Sequence, residues 1–292
     1  MTPTENYPDL AAALGLSGLY FKREDLHPYG SHKGRSIPVM VDRYYSSGDR
    51  KFAISSSGNA ALAAALHVKS LNAAKNSPAD MIDLDIFVGQ HAAPHKTEKL
   101  RDLADEHIRV LIKERPLQAL TQAMNEGARS LRQSTDDTAL IGYESLAQEL
   151  AAVKGVSAVF IGTSSGTTAQ ALAAYFTKKK LLIQVHIIQT SSCHPIVESF
   201  DAYEGPDELS IADAIVDITA QRKSALVPLI EKTGGRGWFA TNEQITTAQE
   251  LAKKHANLDI SNNSALSIVG VMQAAYVGYE IEGAVVCMIC GD

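Results

Sequence analysis

Short apolar runs alternate with helix-like stretches along all 292 residues, and no other feature limits the possible folds as strongly. Runs at 18–22, 52–55, 82–88, 108–112, 158–161, 181–188 and 284–289 have strand length. Several are apolar on both faces, as a strand covered by helices on both sides requires. Residues 60–68, 117–131, 167–176 and 246–255 carry apolar side chains at helical spacing and many good helix formers. The pattern predicts an α/β fold of parallel strands joined by helical crossovers. At this length the chain accommodates two lobes. Polar stretches at 72–80 and 205–209 read as surface loops, and Lys178, Lys179 and Lys180 as a solvated helix end.

Charge and cysteine usage narrow the function classes. With 27 Lys and Arg against 33 Asp and Glu, the net charge is -6, which disfavours a nucleic-acid binder that needs a concentrated positive field. Three cysteines, two of them close together at Cys287 and Cys290, suit a reducing compartment better than a disulfide framework, so a cytoplasmic location is expected. The first ten residues lack a signal-peptide pattern, and no apolar run approaches the roughly 20 residues of a membrane span. His91 and His95 stand four apart, but Pro94 intervenes and no third ligand follows at metal spacing, so no metal is expected.

Three strand-to-helix turns carry unusual chemistry. In the first, Lys22 to Arg35, the chain leaves a strand, turns at Pro28, Tyr29 and Gly30, and is expected to enter a helix near Lys33. An ammonium at a helix start opposes the dipole, which favours the neutral amine that a covalently acting lysine needs. The second turn is Ser55, Ser56, Ser57, Gly58 and Asn59, ahead of an alanine-rich helix. One cap would use one of these hydroxyls, and the rest, with free backbone N–H groups, would suit a carboxylate. In the third turn, Gly162, Thr163, Ser164, Ser165, Gly166 and Thr167 offer backbone N–H groups and hydroxyls as a cradle for one phosphate. It lacks both the dinucleotide G-x-G-x-x-G register and the lysine of a nucleotide-triphosphate loop.

Taken in order, these turns resemble the motifs of the fold type II pyridoxal-phosphate enzymes. Lys22 to Arg35 is similar to the family's K-x-E-x-x-x-P-T-G-S-F-K-x-R segment, Ser57-Gly58-Asn59 to its S-G-N loop, and Gly162 to Thr167 to its glycine-rich phosphate loop. The stretch Met288-Ile289-Cys290-Gly291 resembles its final cofactor motif. The resemblance implies two lobes with mainly parallel sheets, a smaller one at 33–139 and a larger one at 1–32 and 140–292. It also implies pyridoxal 5'-phosphate as cofactor, with Lys33 attaching it covalently and then acting as base. Asn59 would meet the ring hydroxyl, Gly162 to Thr167 the phosphate and Cys290 the ring nitrogen, while Ser56, Ser57, Gly58 and Asn59 would bind the carboxylate of an amino-acid substrate.

Within that family the sequence is closest to threonine synthase-like members. Gly142 to Glu149, Ile188 to Pro195 and Ser210 to Ile215 are similar to their segments. The expected reaction is conversion of O-phosphohomoserine to threonine and phosphate. A serine/threonine dehydratase-like or cysteine synthase-like reaction is the alternative, and a non-catalytic binding protein is the alternative of another class. His32, Gly34 and the segment Ser261 to Leu266, which lacks the acid of many relatives, depart from the pattern. A homodimer is implied, as is a shorter tail after Cys290 than relatives carry.

Overall fold

The computed structural model describes residues 1–75, 77–90, 92 and 94–291, which form two compact units. One comprises residues 1–27 and 143–292, the other residues 28–142. Ten strands are present among the described residues: β1 (Thr4–Asn6), β2 (Leu19–Arg23), β3 (Lys51–Ser55), β4 (Asp83–Gly89), β5 (Ile108–Lys113), β6 (Arg129–Ser130), β7 (Val156–Gly162), β8 (Gln184–Thr190), β9 (Gly237–Ala240) and β10 (Ala284–Ile289). The first unit holds a six-stranded sheet in the order β1-β2-β10-β7-β8-β9, and the second a four-stranded sheet in the order β5-β4-β3-β6. Every pairing is parallel except β1 with β2. This is the α/β architecture expected from the alternating pattern.

Strand β10 is buried along all six residues between β2 and β7. The helix Asn262–Tyr276 lies against this sheet with nine buried residues. Its approach depends on Gly270, where a Cβ would fall 2.7 Å from Ile188 Cγ1 and 2.8 Å from Phe160 Cδ1. In the other unit, residues from β3, β4 and the helices Ile37–Ser46 and Asn59–Ala73 form a separate apolar core.

Three boundaries differ from the sequence reading, each for a local reason. The helix expected over 117–131 is Pro116–Asn125, which ends in a Schellman turn. There Gly127 at φ +93° donates to Met124 O and Ala128 donates to Ala123 O at 2.9 Å. The chain then turns back as β6 to join the edge of β3. The strand expected from residue 181 starts at Gln184, because Lys180 takes the left-handed conformation after the helix Thr167–Lys178 and Leu181 donates back to Phe176 O. Part of the loop expected at 72–80 is helical: Asn72 and Ala73 finish the helix Asn59–Ala73, and the Asn72 amide makes paired bonds with the backbone of Ile82. Asn76 lies outside the described residues.

A buried histidine marks the six-stranded core. His186 stacks on Phe160 at 4.3 Å and accepts at Nδ1 from Trp238 Nε1 at 3.2 Å and from the Arg236 N–H at 3.4 Å. With Nδ1 facing two donors, the proton resides on Nε2, which donates to Gln184 Oε1 at 3.0 Å. Burial, helped by the Arg236 charge, lowers its pKa to about 3. The unfolded chain then binds a proton that the folded one refuses, so stability falls as pH drops below the ordinary histidine range. Urea denaturation should show His186 costing about 2 kcal/mol at pH 5 relative to pH 7. In His186→Phe that part of the pH slope should be absent.

Candidate active site

The residues expected at the site divide between the two units. In the unit of residues 28–142, Lys33 does not begin an α-helix as expected. It occupies the 3-10 turn His32–Arg35, which precedes the helix Ile37–Ser46. Fully buried Ser31 caps this turn, its Oγ accepting from the Lys33 N–H at 3.3 Å. The Lys33 side chain is half-buried, and among the described residues its Nζ makes no hydrogen bond or ion pair. A sequence-local turn thus presents an amine with its bonding capacity unused.

The same unit carries the turn after β3. Residues 55–60 are all half-buried, and Gly58 is the N-cap of the helix Asn59–Ala73. No side chain caps this helix and no acid lies in its first turn. Ser56 Oγ accepts from the Gly58 N–H at 3.3 Å, which shapes the turn without using the N–H groups of the helix start. The 3-10 turn bearing Lys33 packs against this helix, so the unit itself brings Lys33 and the Ser56 to Asn59 segment onto one element. A helix start left this way favours a carboxylate through both its N–H groups and its dipole.

The larger unit carries the phosphate-like turn. Gly166 is the N-cap of the helix Thr167–Lys178 at φ +82°, with no side-chain cap and no acid in the first turn. Thr163 Oγ1 accepts from the Gly166 N–H at 3.1 Å, and the first helical bond runs from Gln170 N to Gly166 O at 2.8 Å. The N–H groups of Thr167, Thr168 and Ala169 therefore have no backbone or side-chain acceptor among the described residues. Ser165 and Thr167 hydroxyls lie 2.9 Å apart beside them. Both glycines are required: a Cβ would come 2.5 Å from Leu226 Cδ2 at Gly166 and 2.9 Å from Leu266 at Gly162. This donor set, with no competing carboxylate in the helix's first turn, fits a phosphate group.

Cys290 follows β10 and is 7% exposed. Its N–H donates to Ser264 Oγ at 3.2 Å, while Ser261 Oγ donates to Ser264 Oγ at 3.1 Å and contacts Gly291 O at 3.2 Å. Gly162 closes against Asn263 O and Leu266 of that same helix. Within this unit the turn 162–167, the helix start at Asn262 and Cys290 are therefore neighbours.

Two residues without an assigned role in the sequence reading hold this arrangement. Gln189 is fully buried at the end of β8, donating to Ser164 O at 3.2 Å and accepting from the N–H groups of Ile196 and Val197 at 2.8 and 3.0 Å. Ser264 joins the helix start to Cys290. A long amide directly after the apolar pair Ile187 and Ile188 was the available signal for Gln189. Ser164 also accepts from the N–H groups of Val216 and Asp217, each at 3.0 Å. Ser164→Ala leaves both donors without that acceptor, a loss of about 1–2 kcal/mol. Limited proteolysis should then cut the irregular segment 205–219 faster than in the wild type.

Among the described residues, no group of three or more His, Cys, Asp or Glu side chains could hold a metal ion. His91 and Asp292 lie outside them. No described helix is long and apolar enough to cross a membrane.

Comparison with known proteins gives the family. A family model described as pyridoxal-phosphate dependent enzyme matches residues 1–291. Among solved structures, a pyridoxal 5'-phosphate-dependent aspartate racemase is 19% identical at a TM-score of 0.83, covering 99% of this chain and 89% of its own. Maize serine racemase is 17% identical at 0.77, with 99% and 87% covered. Threonine deaminase isoform 2 from Solanum lycopersicum is 18% identical at 0.79, with 99% and 83% covered. At such identities these structures establish the shared fold. No curated protein matches the sequence.

Proposed function

Because this chain belongs to the pyridoxal-phosphate-dependent enzymes of fold type II, we propose that it catalyses elimination or replacement on an amino-acid substrate, with Lys33 as the attachment point and base. Two features carry this reading, one in each unit: among the described residues the Lys33 amine makes no hydrogen bond or ion pair, and the helix start at Gly166 offers three N–H groups to an anion.

The cofactor, when bound, supplies a conjugated, electron-withdrawing system that makes the substrate's Cα–H acidic. The chain's own residues hold, orient and move protons. Gly162 to Thr167 would hold the phosphate through backbone N–H groups and hydroxyls, and Asn59 would donate its amide to the ring hydroxyl. Ser56, Ser57, Gly58 and Asn59 bind the substrate carboxylate at the helix start. Lys33 Nζ would hold the cofactor and, as a free amine, would take the Cα proton and return it to the leaving group. Cys290 would meet the ring nitrogen with a thiol in place of a carboxylate. A thiol is a poor proton source, which favours departure of a group at Cβ or Cγ over transamination.

The finer reading is threonine formation from O-phosphohomoserine, supported by the threonine synthase-like segments. Supplying purified protein with O-phosphohomoserine, serine or threonine in separate assays tests it. Threonine with stoichiometric phosphate is the expected product; ammonia and keto acid without phosphate would replace this reading with a dehydratase. Homodimeric assembly belongs to the same proposal, and sedimentation tests it.

A further inference from the structure

In the unit of residues 28–142, the helices Ile37–Ser46 and Asn59–Ala73 pack together, and three polar side chains form a line across their contact. His67, 9% exposed in the second helix, places Nε2 at 2.8 Å from Asp42 Oδ1 and Nδ1 at 3.0 Å from Tyr29 Oη. The Tyr29 and His67 rings meet edge to face at 5.9 Å. Tyr29 precedes Gly30, which turns the chain at φ +78° where a Cβ would fall 3.3 Å from Leu62 Cδ2 of the helix, and Lys33 follows in the next turn.

For a neutral imidazole, hydrogen-bond logic gives the direction of this line. A carboxylate only accepts, so a neutral imidazole must carry its proton on Nε2. Nδ1 is then an acceptor, and Tyr29 must donate to it. Burial and the Asp42 charge hold the Tyr29 phenol above its usual pKa, so the proton stays in place for this bond. The Asp42 side chain is 57% exposed, and so the line runs from solvent to the segment that carries Lys33. Among the described residues no further hydrogen bond or ion pair reaches His67 or Asp42. An apolar residue at 67 would fill the helix contact without burying a polar ring, so packing alone does not account for the histidine.

We propose that Asp42 and His67 fix Tyr29 as the positioning residue of the Lys33 turn, so that the Lys33 amine is held ready to attach the cofactor. This rests on the reading of Lys33 as the attachment point. In the test, pyridoxal phosphate is added to cofactor-free full-length protein. Attachment is followed by absorbance, then trapped with borohydride and located by mass spectrometry. Tyr29→Phe and His67→Leu should attach it about tenfold more slowly, the factor carried by one lost hydrogen bond. Inorganic phosphate, which does not need Lys33, should compete at unchanged concentration. Where Tyr29→Phe fails to fold, His67→Gln serves: its amide can donate toward Asp42 and accept from Tyr29, and it should attach faster than His67→Leu. Wild-type rates in Tyr29→Phe, or equal rates in the two His67 variants, would overturn the proposal and leave only a link between helices. Wild-type protein labelled elsewhere than Lys33 would overturn the underlying reading instead.

Discussion

Lys33→Ala should lower turnover of any accepted amino acid by about 10³-fold or more while leaving the fold intact. One substitution removes both covalent attachment and the Cα base, and general base catalysis alone is worth about 10²–10⁴-fold. The half-buried side chain has no bond partner for Nζ among the described residues, so its removal leaves no buried group unsatisfied. Thermal unfolding should therefore shift little. Lys33→Arg should not restore activity, since a guanidinium stays protonated and cannot serve as amine nucleophile or base. Activity within tenfold of wild type in either variant would remove Lys33 from the chemistry.

Gly166→Val should weaken cofactor binding by about 30-fold or more, the equivalent of ~2 kcal/mol. The φ of +82° strains any residue with a Cβ by roughly 1–2 kcal/mol. In addition, the new Cβ would stand 2.5 Å from Leu226, a fully buried side chain with little room to rotate. Relief requires the turn to open, which moves the N–H groups of Thr167 and Thr168 away from the phosphate. Titration with pyridoxal phosphate and with pyridoxal separates the effects: affinity for the phosphorylated compound should fall much more than affinity for pyridoxal. An equal fall for both would mean that the turn does not bind the phosphate.

What the sequence made legible was what depends on neighbours along the chain. The two uncapped helix starts at Asn59 and Thr167 were visible because glycine and hydroxyl residues directly follow strand-like runs. Lys33 stood out for the same reason, although its short 3-10 turn did not, since a three-residue period over His32–Arg35 is too brief to register. The helix Asn262–Tyr276 escaped because it is apolar nearly all round: buried in the larger unit, it has no polar face to create a period. Partnerships across long separations were also invisible. Lys22, 0% exposed, pairs with Glu149 Oε2 at 2.5 Å and donates to Thr2 O at 2.6 Å, and nothing local to any of the three announces the contact. The Asp42–His67–Tyr29 line is of the same kind, joining two helices and a turn.

The central claim is that Lys33 attaches pyridoxal phosphate, and the most direct measurement reduces cofactor-loaded protein with borohydride and maps the modified peptide by mass spectrometry. The expected result is one pyridoxyl adduct per chain, on Lys33, absent from Lys33→Ala. An adduct on another lysine, or none on protein that has bound the cofactor, would contradict the account.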